Sequence, residues 1–211
     1  MDLFSYPQSK QIIVKDAYLL TGFALPFEIE LLVDLQRMII QAPLRHMMTP
    51  MGFKMSAAMS NCGSLGWLAD KNGYRYDALD ANTGKLWPEM PASFLRLATS
   101  AAAECGYNDF VPDACLINQY KISASMGLHQ DKNEMDFSQP IVSVSLGIPA
   151  IFQFGGLSRS DKPIKIRLTH GDIVVWGGDA RLKYHGIMPL KPNNHEVLGP
   201  YRYNLTFRKA G

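Results

Sequence analysis

Hydrophobic residues repeat along the chain at two periods, one typical of helices and the other of strands. Apolar side chains recur three and four positions apart over residues 27–41 and again over 90–105, which predicts two amphipathic helices. A first strand is predicted over residues 11–20. From Asp109 onward, short runs rich in β-branched and aromatic residues are bounded by turn residues. These runs predict strands at 114–120, 141–146, 150–154, 164–168, 172–176 and 202–208.

Helices followed by many short strands predict a mainly β (α+β) fold. The expected core, at about 114–208, is a double-stranded β-helix, or jelly roll, backed by the N-terminal helices. Residues 47–80 mix methionines and aromatic residues with glycines and show no clean period. We expect irregular hairpins or a lid there, at about 45–80. Because no repeat, low-complexity tract or flexible linker is present, residues 1–211 are predicted to form a single domain.

Composition narrows the class of protein only slightly. Lys and Arg (21) nearly balance Asp and Glu (19), giving a formal charge of +2. That balance excludes a strongly basic nucleic-acid coat protein but permits a local basic patch. The three cysteines form no Cys-x-x-Cys pair, which argues against a disulfide framework and favours a reducing compartment. Residues 1–7 do not resemble a signal peptide, so we expect a cytoplasmic protein without a membrane partner.

Two residues that often bind metals stand two positions apart, at His129 and Asp131. In an extended chain such side chains point to the same side, so they can meet at one ion. Two histidines and one carboxylate on one face of the ion are diagnostic of non-haem iron(II) oxygenases. By itself this pair is a weak signal, since a surface histidine near an aspartate is common. The best second histidine is His185, which follows a strong strand; the alternatives lie in turns or irregular segments at His46, His170 and His195.

The last predicted strand, 202–208, alternates completely. Three apolar side chains face one side, and the polar ones face the other, namely Arg202, Asn204, Thr206 and Arg208. An ordinary amphipathic strand would turn this polar face to water. Two arginines flanking hydrogen-bonding residues also suit a dicarboxylate such as 2-oxoglutarate, because guanidinium binds carboxylate in a bidentate fork. An arginine-held 2-oxo acid beside iron is what this class of oxygenase requires.

These residues fall into one longer spaced pattern: Asn118-x-Tyr120, His129-x-Asp131, His185 and Arg202-x-Asn204-x-x-x-Arg208. The pattern resembles the AlkB family of alkylation-repair dioxygenases, and its bacterial members in particular. Similarity extends through the strand segments after residue 141 and back to Asn61-Cys62-Gly63 and Gly66-Trp67, so it covers nearly the whole chain.

The resemblance implies a site and an activity. Iron(II) would be held by the catalytic triad His129, Asp131 and His185. The co-substrate 2-oxoglutarate would bind Arg202 at its distal carboxylate and Arg208 nearer the metal, with the remaining hydrogen bonds from Asn118, Tyr120 and Asn204. With O2, the enzyme would demethylate N1-methyladenine and N3-methylcytosine in DNA, and RNA is a second candidate substrate. Formaldehyde, succinate and CO2 would be released.

The resemblance also implies that the base is flipped or unpaired, under a nucleotide-recognition lid. Trp67, opposing the metal ligand His185, and Tyr74 are the candidates for stacking on it. The other candidate contacts are Tyr76 on the phosphate or pocket wall, Met59 (with Met55) in the lid, Arg159 and Asn133. The competing interpretation is an ordinary aromatic cluster under a hairpin, with solvated surface charges.

Two positions depart from the family pattern. Lys121-Ile122-Ser123 replaces the usual Pro-Gly or x-Gly turn after Tyr120, which makes the conformation of that loop an open question. Asn133 replaces an acidic residue that commonly contacts the base. Asparagine still offers a carbonyl acceptor but no charge to favour a cationic methylated base, so we expect an altered preference among lesions.

Other functions remain open on the sequence alone. A related iron hydroxylase acting on a protein or small molecule would keep the triad and both arginines but would not need Trp67 and Tyr74. A non-catalytic jelly-roll binding module would be expected to have lost part of the motif. A zinc hydrolase would leave the Arg202 and Arg208 stripe unexplained. A monomer is expected.

Overall fold

A computed structural model describes residues 9–211 of the chain. The expectation about a signal peptide rests on residues 1–7, which lie outside this range. Within the described residues, no helix is both long and apolar enough to cross a membrane.

Two antiparallel sheets form the body of the fold, with strands numbered in chain order. The large sheet runs in the order β1 (Ser9–Val14), β2 (Ala17–Thr21), β11 (Ile173–Trp176), β8 (Ile141–Gly147), β13 (Arg202–Arg208), β6 (Ala114–Tyr120), β3 (Ala58–Gly63). The small sheet runs β10 (Ile164–Leu168), β9 (Ala150–Phe154), β12 (His185–Ile187), β7 (Met126–His129). A separate hairpin consists of β4 (Gly66–Asp70) and β5 (Gly73–Asp77).

Two hydrophobic cores lie on opposite faces of the large sheet. Helices α1 (Glu28–Gln41) and α2 (Ala92–Glu104) cover the outer face, where Leu31, Leu35 and Phe94 pack with strand residues such as Val144. Within each helix, apolar residues spaced three and four positions apart lie on one face, and this face packs against the sheet. The second core lies between the two sheets and includes Phe152, Phe154 and Trp176. The mainly β jelly roll backed by N-terminal helices is therefore confirmed.

Of the thirteen strands in residues 9–211, the sequence pattern located six, all of them after residue 113. The strands predicted at 114–120, 150–154, 164–168 and 202–208 have the same bounds in the structure. The single strand predicted at 11–20 is wrong, because the chain reverses at Asp16 (φ 63°) to give β1 and β2. Aspartate tolerates this left-handed conformation better than most residues.

Residues 45–80 contain one regular strand that the pattern did not indicate. Strand β3 pairs with β6 at the edge of the large sheet and is buried along most of its length, so it shows no alternation of polar and apolar residues. The segment before β3 and the hairpin β4–β5 after it remain the candidates for a lid.

The unusual sequence after Tyr120 forms a closed turn. The backbone N–H of Ser123 donates to the carbonyl of Leu190 at 2.9 Å, and that of Ala124 donates to the carbonyl of Lys121 at 3.0 Å. The turn requires a left-handed residue, and Ser123 occupies that position with φ 69°. A side chain in this conformation costs about 1–2 kcal/mol.

We predict that Ser123→Gly raises the free energy of unfolding by roughly 0.5–1 kcal/mol, because relief of strain exceeds the added entropy of the unfolded chain. Urea denaturation of both proteins measures the change. Ile122→Gly is the matched control: the φ of Ile122 is not positive, so this glycine should lower stability. A loss of stability in both variants would contradict the strain at Ser123.

Candidate active site

The three predicted metal ligands meet at one point. Strands β7 and β12 pair so that His185 lies opposite His129, and Asp131 follows two residues after β7. The Nε2 atom of His129 is 3.6 Å from Oδ1 of Asp131, and Nε2 of His185 is 3.7 Å from Oδ2. One candidate ligand atom from each residue lies within 4.8 Å of the others. The group therefore fits the two-histidine, one-carboxylate site of iron(II) oxygenases.

Backbone carbonyls fix both imidazoles in the form that can bind a metal. Nδ1 of His129 is 2.9 Å from the carbonyl oxygen of Gly127, and Nδ1 of His185 is 3.1 Å from that of Lys183. Since a carbonyl only accepts, each Nδ1 carries the proton and each Nε2 presents a lone pair. Burial, together with the neighbouring His129, lowers the pKa of His185 to about 3, so this ring is neutral near pH 7.

Asp131 is kept ionised by a buried partner. Arg208 donates to Oδ2 of Asp131 from Nη2 at 2.6 Å and from Nε at 3.0 Å. Burial opposes ionisation, but the charge of Arg208, followed by His185 and His129, holds the pKa of Asp131 well below its usual value. The triad thus combines two imidazole nitrogens with one carboxylate.

The polar face of β13 lies inside the protein. All of its polar side chains are buried, so the interpretation of this face as solvent-exposed is wrong. With residues of β6 and the small sheet they line a cavity. Its lining includes both metal-binding histidines and every predicted 2-oxoglutarate residue: Asn118, Tyr120, Arg202, Asn204 and Arg208.

Arg202 is incompletely paired in this cavity. Its Nη2 donates to the hydroxyl of Ser145 at 3.0 Å. Within residues 9–211, its Nε and Nη1 and the Oδ1 atom of Asn118 are buried without hydrogen-bond partners. Unpaired buried donors on a guanidinium are costly, and a carboxylate is the acceptor that pairs most strongly with them. The residues present therefore fit a dicarboxylate such as 2-oxoglutarate.

A second cavity opens beside the triad. Its lining includes five of the predicted substrate contacts: Trp67, Tyr74, Met59, Asn133 and Arg159. The rings of Trp67 and Tyr74 are stacked, with centroids 5.6 Å apart and planes inclined by 15°. His129 lines this cavity as well, so the structure places His129, rather than the predicted His185, in the same cavity as Trp67. Lining residues that the sequence did not indicate include Leu116, Met126 and Tyr184.

The sixth predicted contact, Tyr76, makes a different interaction. Its hydroxyl donates to Oε1 of Glu134 at 2.6 Å. Glu134 also pairs with Arg181 at 3.0 Å, and both charged side chains are buried. The sequence offered no signal for these two residues, because a buried glutamate and arginine cannot be told from surface charges by pattern alone.

A second histidine cluster has the opposite hydrogen-bond arrangement. Candidate ligand atoms of Glu28, His170 and His195 also lie within 4.8 Å of one another. However, Nδ1 of His170 accepts from the N–H of Gly147 at 2.9 Å, and Nδ1 of His195 accepts from two backbone N–H groups at 3.3 Å. The neutral rings therefore carry hydrogen on Nε2, which leaves no lone pair there for a metal.

Comparison with known proteins supports the same family. Residues 16–208 match the model of the 2OG-Fe(II) oxygenase superfamily. Over its full length the chain is 51% identical to the alpha-ketoglutarate-dependent dioxygenase AlkB of Escherichia coli, covering 98% of that protein. It is 33% identical to human nucleic acid dioxygenase ALKBH1 over 61% of this chain and 33% of the human protein.

A solved structure shares the fold. The structure of OsALKBH1 matches with a TM-score of 0.83 and 29% sequence identity, covering 95% of this chain and 100% of that chain. Together with the triad, these matches show that the chain belongs to the AlkB family of 2OG-Fe(II) oxygenases, dioxygenases that use iron(II), 2-oxoglutarate and O2.

Proposed function

We propose that the protein is an oxidative demethylase of alkylated nucleobases, acting on N1-methyladenine and N3-methylcytosine in DNA, with RNA as a second substrate. One observation carries the proposal: the triad lies between two cavities, and His129 lines both. One cavity has an unsatisfied guanidinium for the co-substrate, and the other has stacked aromatic side chains suited to a base.

The chain's own residues would hold the reactants in place. Iron(II) would bind His129, Asp131 and His185, and 2-oxoglutarate would place its distal carboxylate on Arg202. When bound, these groups supply O2-dependent oxidation of a methyl C–H bond, coupled to conversion of 2-oxoglutarate into succinate and CO2. The hydroxylated methyl then leaves the base nitrogen as formaldehyde. The apolar walls formed by Phe152 and Trp176 would keep water from the co-substrate cavity.

The second cavity suits an unpaired base. A methyl group on the pairing edge cannot be reached inside a duplex, so the nucleotide must leave the stack. We propose that Trp67 and His129 flank the base, with Tyr74 extending the aromatic surface; stacking of this kind contributes about 1–3 kcal/mol per base. Arg159 and Lys132 line the same cavity and are placed to meet phosphate. Since one chain supplies both cavities, we propose that a monomer is active.

The activity is tested by incubating an oligonucleotide that contains N1-methyladenine with iron(II), ascorbate and 2-oxoglutarate. We expect the oligonucleotide to lose one methyl group, measured by mass spectrometry, with equal amounts of succinate and formaldehyde. His129→Ala should abolish all three changes because it removes a metal ligand. Succinate formation without methyl loss, across DNA and RNA substrates, would favour a hydroxylase with another substrate.

A second prediction concerns the co-substrate. Arg202→Met should weaken binding of 2-oxoglutarate to the Mn(II)-loaded enzyme at least 100-fold, because it removes two charge-assisted hydrogen bonds of about 1.5–3 kcal/mol each. Isothermal titration calorimetry measures the change. Arg167→Met, which alters an exposed arginine on β10, should bind as the parent does. Unchanged affinity in Arg202→Met would remove Arg202 from the site.

A third prediction concerns lesion preference. Asn133 is exposed in the second cavity, and its Nδ2 lies 3.4 Å from the carbonyl oxygen of Tyr74. Asn133→Asp adds a negative charge beside the cationic base, a pairing worth about 0.5–1 kcal/mol at an exposed site. We expect the ratio of kcat/KM for N1-methyladenine, which is cationic near pH 7, to that for the uncharged N3-methylthymine to rise about two- to fivefold. Asn194→Asp, in an exposed loop, should leave the ratio unchanged, and an unchanged ratio in Asn133→Asp would refute the idea.

A further inference from the structure

We propose that Tyr76, Glu134 and Arg181 are positioning residues that order the metal-binding Asp131 and link it to the β4–β5 hairpin. We call these three residues the clasp. Its link to base binding rests on the proposed function, whereas its effect on the metal site does not.

The clasp begins on the hairpin. Tyr76 lies on β5 directly opposite Trp67 on β4, and Trp67 lines the second cavity. The Tyr76 hydroxyl points away from the hairpin and donates a hydrogen bond to Glu134 at 2.6 Å. Burial raises the pKa of Tyr76 well above its usual value, so the hydroxyl keeps the proton that it donates. A shift of the hairpin therefore moves a group bonded to Glu134.

Glu134 connects this hydroxyl to two arginines. Its Oε2 accepts from Nη2 of Arg181 at 3.0 Å, and its Oε1 is 3.4 Å from Nε of Arg208. Glu134 is 6% exposed and Arg181 is 2% exposed, so water cannot replace these partners. Buried charges keep a fixed geometry only while every partner is present.

The two arginines bind both the backbone and the side chain of Asp131. Nη1 of Arg181 donates to the backbone carbonyl of Asp131 at 2.8 Å, while Arg208 donates twice to its carboxylate. Nε of Arg181 also donates to the carbonyl of Gln139 at 3.1 Å, which fixes the guanidinium plane. Asp131 thus has its main chain and its side chain fixed by a network that reaches the hairpin through one hydroxyl.

Loss of the Tyr76 hydroxyl has a defined consequence. Oε1 of Glu134 would lose its donor and turn toward Arg208, which then divides its hydrogen bonds between Glu134 and Asp131. The carboxylate of Asp131 would become less well ordered, and the metal would bind more weakly. Because coupling between two ligands is reciprocal, a base that fixes the hairpin would tighten metal binding, and the metal would tighten base binding.

The test uses Tyr76→Phe in the full chain, with Mn(II) in place of iron and 2-oxoglutarate present, so that no turnover occurs. Free Mn(II) is followed by electron paramagnetic resonance. Without nucleic acid, we expect the variant to bind Mn(II) at least threefold more weakly than the parent. Glu134→Gln, which removes the charge, should weaken binding in the same direction. Tyr107→Phe is the control, since its hydroxyl hydrogen-bonds to the carbonyl of Asp16 at 3.4 Å and takes no part in the clasp, and it should match the parent.

The titration is repeated with an oligonucleotide containing N1-methyladenine. In the parent and in Tyr107→Phe, the oligonucleotide should raise Mn(II) affinity at least fivefold, the lower end of usual coupling between sites. In Tyr76→Phe, this factor should fall below twofold.

The outcomes separate the two proposals. If Tyr76→Phe and Glu134→Gln, shown to be folded by circular dichroism, bind Mn(II) as the parent does without nucleic acid, the clasp is refuted. If the oligonucleotide binds the parent but its effect on Mn(II) affinity is absent, or survives in Tyr76→Phe, the link to the hairpin is refuted. Failure of the parent to bind any alkylated oligonucleotide would instead refute the proposed function.

Discussion

The buried ion pair between Arg208 and Asp131 is the interaction on which the site depends. An isolated carboxylate in this interior would take up a proton, because burial penalises its charge. Arg208, on the last strand of the large sheet, supplies the opposite charge at 2.6 Å. The pair therefore joins the two sheets at the point where a metal needs an anionic ligand. A buried pair of this kind is weak evidence for stability, because apolar residues of similar volume often stabilise a fold equally well; here it fixes the position of the carboxylate.

The two cavities differ in the charge and polarity of the side chains that line them. The inner one contains charge that the protein itself leaves unsatisfied, at Arg202 and Asn118, and so selects a small acid. The outer one presents flat aromatic surface with cationic residues beside it, which suits the proposed substrate, a base attached to phosphate. A zinc hydrolase would need neither the buried arginine stripe nor the first cavity. Because His129 lines both cavities, the proposed reactants would lie on opposite sides of one metal site.

The sequence predicted those parts of the fold in which local pattern and environment agree. Strand β13 was predicted with its observed bounds, because polar and apolar residues alternate along its whole length. The sequence allowed its polar face to point either to solvent or to a buried ligand. Strands β7 and β12, which carry His129 and His185, span four and three residues, too few for any period to appear. Glu134 and Arg181 were missed because only the folded chain reveals that these charges are buried. The contact of Tyr76 with Glu134, 58 positions away, likewise depends on tertiary structure.

The direction of backbone hydrogen bonds at Nδ1 has a consequence for competition between metals. Carbonyls face the rings of His129 and His185, whereas amide groups face those of His170 and His195. Both clusters have the composition that attracts transition metals, yet only one offers free lone pairs. The second cluster is therefore less suited than the triad to take up surplus zinc or copper. Ions that bind imidazole more strongly than iron(II) does therefore compete with iron at the triad itself. Which metal occupies the triad then depends on the concentrations of metal ions around the protein.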